Sequence, residues 1–64
     1  MIKEKRADVL FWYNNQKGRP MIQPALGVKL GEKEEMENEV RNYCNKHNYR
    51  LTFILKITPR SGSH

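Results

Sequence analysis

The amino-acid sequence predicts an α+β fold with the order β-β-α-β, in which one amphipathic helix packs on one face of a three-stranded sheet. Two segments, residues 8–14 (DVLFWYN) and 49–58 (YRLTFILKIT), are dense in β-branched and aromatic residues, as strands are. Residues 31–48 instead repeat apolar side chains at helical spacing. We expect a single small domain over residues 1–59, with residues 60–64 as an appended tail.

The first predicted strand, residues 8–14, has apolar side chains on both faces. Alternation puts Val9, Phe11 and Tyr13 on one face, and Leu10 and Trp12 on the other. A strand that is apolar on both sides is typical of the centre of a sheet. We therefore expect this strand in the middle.

A turn at residues 15–19 (NQKGR) leads into a weaker strand at residues 20–30. Pro24 lacks the N–H that a central strand donates, so this strand is expected at an edge, with pairing on either side of Pro24. Gly27 indicates a bulge or bend within the same strand.

The helix is predicted over residues 31–48. Its apolar stripe is expected to be Met36, Val40, Tyr43, Cys44 and His47. Gly31 is a possible N-cap, and Asn48 is a plausible left-handed residue at the other end.

The last predicted strand, residues 49–58, is bounded by Pro59. Simple alternation turns its odd-numbered apolar residues toward the helix, and Ile54 and Lys56 toward the opposite face. The residues expected in the core on this basis are Leu51, Phe53, Leu55 and Ile57.

Charge is divided unevenly along the chain. Residues 32–48 carry five Glu and three Lys or Arg, net −2, whereas the remainder carries nine Lys or Arg and two acids, net +7. Aromatic side chains on a basic sheet are the ingredients of a nucleic-acid-binding surface. We therefore predict a non-enzymatic nucleic-acid-binding module. The residues expected to bind nucleic acid or another partner are Trp12, Lys17, Arg19, Lys29, Ile54 and Lys56.

A protein-interaction or inhibitor module is the alternative. One helix cannot cover both faces of the sheet, so the uncovered face could dock on a protein or on a second copy. The strand at residues 51–57 would also present an apolar edge that could pair with its symmetry mate. A homodimer is expected in either case, because so small a chain without disulfides buries little surface alone.

Catalytic chemistry, a metal site and a cofactor are not expected. Cys44 and His47 are three residues apart, but the predicted domain has no other Cys or His, and a helix glutamate could complete a metal site only by leaving the solvent. Cys44 falls on the apolar stripe, where cysteines are inert core residues. The glutamates of the helix are spread over a solvated face.

The sequence indicates a cytoplasmic protein, since it has one cysteine and neither a signal peptide nor a membrane span. Its small size and Lys/Asn-rich composition are typical of accessory proteins of phages and mobile elements. The aromatic run at residues 11–13, the basic hairpin at residues 17–19 and the single helix together resemble the arm-binding domain of phage-type integrases. In that family the helix follows all three strands, whereas here a strand follows the helix, so no residue role is transferred.

Overall fold

The computed structural model describes residues 5–60 and confirms the predicted α+β fold within them. The elements are β1 (Arg6–Asn14), β2 (Pro20–Lys29), α1 (Lys33–Lys46) and β3 (Arg50–Pro59). The strand order is β2-β1-β3, with β1 antiparallel to both neighbours. The two outer strands therefore run parallel to each other. The predicted tail lies outside the described residues except for Arg60.

The core lies between α1 and one face of the sheet. From β1 it takes every second residue, because successive side chains of a strand point to opposite faces. From α1 it takes Met36, Val40 and Cys44, which confirms the predicted stripe at these positions. The buried core residues are Ala7, Val9, Phe11, Tyr13, Val28, Met36, Val40 and Cys44.

The β1–β2 hairpin is closed by Asn15. Its side-chain Oδ1 accepts hydrogen bonds from the backbone N–H groups of Lys17 (2.9 Å) and Arg19 (3.0 Å). Gly18 has a φ of +80°, a conformation that side chains disfavour, which explains the glycine at the turn. The predicted turn at residues 15–19 is confirmed, and it places Lys17 and Arg19 at the exposed tip of the hairpin.

The β1–β2 ladder is irregular at Pro24. Val9 pairs with Leu26 and Phe11 with Gln23, so two residues of β2, Pro24 and Ala25, oppose one residue of β1. Pairing on either side of Pro24 was predicted and is confirmed. The bulge expected at Gly27 was wrong, because Gly27 pairs regularly with Asp8. The residue that cannot donate to the ladder, rather than the glycine, is the one that interrupts it.

The β1–β3 ladder shifts register twice. Phe11 pairs with Ile54 and Leu10 with Lys56, which leaves Leu55 as an extra residue. A second shift between Trp12 and Tyr13 leaves Thr52 without a partner in β1. Each extra residue interrupts the alternation of side chains along β3.

These shifts exchange the faces predicted for Phe53 and Ile54. Ile54 lies opposite the buried Phe11 and packs against the core, so its predicted place on the other face was wrong. Phe53 lies opposite Trp12 and is 49% exposed, so its predicted place in the core was also wrong. Leu55 is exposed rather than buried. Leu51 and Ile57 do pack against the core, as predicted.

The ends of α1 lie inside the predicted limits. The N-cap is Glu32 rather than Gly31, and the backbone N–H of Glu32 donates to Glu35 Oε1 at 3.2 Å. Asn48 takes a left-handed φ of 60°, as predicted. The last residue of the predicted stripe, His47, is exposed, because the helix has ended and His47 is its C-cap.

An aromatic cluster joins the end of α1 to the sheet. Tyr13 stacks on Tyr49 with ring centroids 4.5 Å apart, and His47 stacks on Tyr49 at 5.4 Å. The side-chain amide of Gln16 in the hairpin turn also donates to the carbonyl of His47 at 2.9 Å. These contacts hold the hairpin turn against the C-terminal end of α1.

The two phenylalanines provide a matched test of the two faces. We expect Phe11→Ala to lower the free energy of unfolding by about 3–5 kcal/mol, because the ring is fully buried. For a domain of this size, such a loss approaches the whole stability. Phe53→Ala should cost less than about 1 kcal/mol. Urea denaturation followed by circular dichroism measures both changes, and comparable losses would contradict the observed β3 register.

Candidate functional site

The face of the sheet opposite α1, here called the open face, carries an apolar row across all three strands. Cross-strand partners share a face, and Trp12 pairs with Ile22 of β2 and Phe53 of β3. Ile22 and Phe53 are 46% and 49% exposed. Leu10 adds a further partly exposed apolar side chain beside Trp12 on β1. Within residues 5–60, the only helix lies on the other face, so no element of the described chain covers this row.

Basic residues flank the apolar row along the sheet. On β3, Phe53 lies between Arg50, which pairs with Asn14, and Lys56, which pairs with Leu10. At the far end of the sheet, Arg6 pairs with Lys29. All four basic residues lie on the open face. Arg6 is placed there by alternation along β1, and Lys29, Arg50 and Lys56 are partners of open-face residues of β1.

The acidic residue that β1 places on this face, Asp8, is neutralised by a neighbour. Arg60 Nε lies 3.0 Å from Asp8 Oδ2, and the backbone N–H of Arg60 donates to the carbonyl of Arg6 at 2.8 Å. This backbone hydrogen bond extends the pairing with β1 by one residue beyond the end of β3. The remaining positive charge of the open face has no counter-ion within the described residues.

Two like charges oppose each other at the end of the sheet. Arg6 and Lys29 form a directly paired position, an arrangement that destabilises a sheet. The guanidinium of Arg6 is turned diagonally and donates to the carbonyl of Gly27 at 3.2 Å. The backbone N–H of Lys29 donates to Glu39 Oε2 at 3.2 Å, which ties this part of β2 to α1.

The outer side of α1 has the opposite character. Four of the five glutamates, all but Glu37, are exposed, and Glu34 and Glu35 lie in the first turn, where they complement the helix dipole. The acidic charge therefore lies on one side of the molecule and the basic open face on the other. Because α1 also exposes Lys33, Arg41 and Lys46, the net charge of residues 32–48 is −2, opposite in sign to that of the open face.

The structure brings together only part of the set of residues predicted to bind a partner. Trp12, Lys29 and Lys56 lie on the open face. Lys17 and Arg19 lie at the hairpin tip, beyond the end of the apolar row nearer Asn14. Ile54 is on the covered face and packs against the core.

Four residues of the open face were missed from the sequence. Phe53 was missed because alternation cannot locate the register shifts of β3. Arg50 could have been found, since simple alternation puts it on the same face as Lys56. Arg6 was assigned to the N-terminal arm, although it begins β1. Ile22 could have been found, because it lies within the predicted second strand, two residues before the break expected at Pro24.

Cys44 and His47 lie in different surroundings. Cys44 is buried, and that burial raises the pKa of its thiol, which lowers the fraction present as the nucleophilic thiolate. The His47 ring lies outside the core against Tyr43 and Tyr49. Among residues 5–60, no three His, Cys, Asp or Glu side chains are close enough to hold a metal ion together.

A shallow groove follows the boundary between α1 and β3. The β3 side consists of residues 51–57, among them Leu55, which is 46% exposed, and the helix side contributes Lys33, Glu37 and Arg41. In the strand order β2-β1-β3, the outer edge of β3 has no neighbouring strand within the described residues. This edge is the second surface of the molecule that could contact a partner.

In the described part of the chain, no helix has both the length and the apolar character needed to cross a membrane. Comparisons with protein-family models, with curated proteins and with solved structures find no match to this chain.

The buried thiol predicts a loss of stability at alkaline pH. Since burial raises the pKa of Cys44 in the folded protein, the unfolded chain releases its proton first. Stability should thus be unaffected below about pH 8.5, the usual thiol value, and fall as pH rises through the higher folded value. Burial also raises the pKa of Tyr13, so ionisation of this tyrosine should lower the stability further above about pH 10.

Urea denaturation measured in steps between about pH 7 and pH 10 tests this dependence. In Cys44→Ala the fall between about pH 8.5 and pH 10 should become shallower, because the thiol that titrates there is gone. An equally steep fall in the variant would contradict the assignment to Cys44.

Proposed function

We propose that the protein is a non-enzymatic nucleic-acid-binding module that contacts its ligand through the open face. One observation carries the proposal: an exposed row of apolar and aromatic side chains with basic residues on both sides. Phosphates pair with cations while bases contact aromatic rings, so nucleic acid matches both parts of this surface. A reducing, cytoplasmic setting belongs to the proposal and is supported by the free, buried Cys44.

The repulsion between Arg6 and Lys29 supports an anionic ligand. Directly opposed like charges lower the stability of the free sheet, and a phosphate between them would relieve that repulsion. Asp8, by contrast, is already paired with Arg60, so it repels a phosphate less than an unpaired carboxylate would. The open face thus favours anions along its length.

The charge of α1 supports the same orientation. Glutamates on its exposed side repel phosphates, so a nucleic acid approaching the molecule is directed away from the helix and toward the sheet. The helix then acts as the support of the sheet rather than as a recognition helix.

Replacing the two basic residues beside Phe53 tests the proposal. In Arg50→Gln/Lys56→Gln, we expect the affinity for a labelled oligonucleotide to fall at least about tenfold at about 50 mM salt. The slope of log K against log salt should become shallower by about 1.4–1.8, because two phosphate contacts are lost. Fluorescence anisotropy at several salt concentrations measures both quantities.

The matched control is Arg41→Gln/Lys46→Gln, which removes one Arg and one Lys from α1 instead. This control should keep both the affinity and the slope close to those of the parent protein. Equal losses in the two variants would indicate a dependence on net charge alone and contradict binding at the open face. Absence of binding to any oligonucleotide at about 50 mM salt would contradict the proposal as a whole.

A protein-interaction or inhibitor module that dimerises along β3 is the second candidate. The observation that favours it is the exposed edge of β3, with Leu55 nearly half exposed beside the groove under α1. Edges of this kind pair with another strand unless they are protected. Self-pairing through the open face is less favourable, because two copies would bring Arg50 and Lys56 of each into opposition.

Under this second candidate, the protein sediments as a dimer at high concentration, and Leu55→Lys shifts it to a monomer. A charge placed at the edge blocks pairing between strands. The control Asn38→Lys adds the same charge on the exposed side of α1 and should remain dimeric. A parent protein that sediments as a monomer at every concentration would rule out the edge-paired dimer.

A further inference from the structure

We infer that the open face takes single-stranded nucleic acid and stacks two neighbouring bases on Trp12 and Phe53. This inference rests on the proposed function and specifies its ligand. It starts from the direct pairing of these two residues on adjacent strands. Side chains paired in this way have Cβ atoms about 4.5–5.5 Å apart, so both side chains project from neighbouring positions of the same face.

The open face therefore offers two aromatic side chains at neighbouring positions. Each ring offers a π-face, and every base has a π-face of its own, so stacking requires no particular sequence. Phe53 is 49% exposed and Trp12 is partly exposed, so both rings are accessible to a ligand. Ile22 extends the apolar surface on the other side of Trp12.

The centre of the open face is poorly suited to a duplex. In a double helix the base faces are already stacked, and a protein reads the edges of the bases with hydrogen-bonding side chains. The middle of this face carries Trp12, Phe53, Ile22 and Leu10, none of which can form the paired hydrogen bonds that read a base edge. A face that is apolar in the middle and basic beyond it matches unstacked bases with phosphates on either side.

The cations lie where the phosphates of such a strand would pass. Arg50 and Lys56 flank Phe53 on β3, with a separation of at most roughly 20 Å along the strand. Lys17 and Arg19 at the hairpin tip continue the basic surface beyond Arg50. The expected site is therefore short, about 4–8 nucleotides.

Three probes with similar phosphate content distinguish contacts to bases from contacts to phosphates. These are an oligothymidylate of about eight nucleotides, an abasic oligomer of the same length, and a short DNA hairpin duplex. We expect the oligothymidylate to bind at least about tenfold more tightly than either of the others. The chain has one tryptophan, so base stacking should also quench its fluorescence with the oligothymidylate and not with the abasic oligomer.

Trp12→Leu and Phe53→Leu then locate the stacking. Each should weaken binding of the oligothymidylate about tenfold and leave binding of the abasic oligomer unchanged, because the cations remain. Trp12→Phe keeps a ring and should retain most of the affinity. Circular dichroism verifies folding, and the more exposed Phe53 provides the test if Trp12→Leu does not fold.

The outcomes separate the inference from the proposed function. Tight binding of the duplex, or equal binding of the abasic oligomer, would overturn the single-strand inference while the proposed function stands. Loss of affinity for the abasic oligomer in Phe53→Leu would likewise overturn it. If none of the three probes binds, the proposed function itself fails.

Discussion

The packing of β1 against α1 is the interaction on which the rest of the structure depends. β1 is the only strand of residues 5–60 with a neighbour on each side, and every second residue of it is buried under the helix. A helix is about as wide as this small sheet, so α1 covers one face and cannot reach the other. The same strand that forms the core therefore also presents Leu10 and Trp12 on an uncovered face. Core and candidate site are the two sides of one strand.

The division of charge follows the same geometry. Glutamates of α1 are stabilised near its N-terminal end by the helix dipole, and they lie on the solvent side because the opposite side is core. Basic residues fall on the face that α1 does not cover. The two sides of the molecule therefore differ electrostatically: basic residues of the sheet attract an anion, and glutamates of the helix repel it.

The hairpin and the C-terminal end of α1 are held together by side-chain contacts. Asn15 closes the turn, Gln16 bonds to the end of the helix, and Tyr13 stacks on Tyr49 between them. These contacts hold the end of the sheet that carries Arg50 against the C-terminal end of α1.

The element order, the central position of β1 and the stripe of α1 as far as Cys44 could be predicted from the sequence, because these depend on local periodicity and on the missing N–H of Pro24. The sequence also indicated that the sheet is basic and the helix acidic. The exposed face of β3 could not be predicted, because it depends on the tertiary structure. β3 is apolar at both odd and even positions, so either Phe53 or Ile54 could have been buried. Packing under α1 and pairing with β1 selected a register with extra residues at Thr52 and Leu55. This register places Phe53 beside Trp12 and so forms the surface on which the proposed function is based.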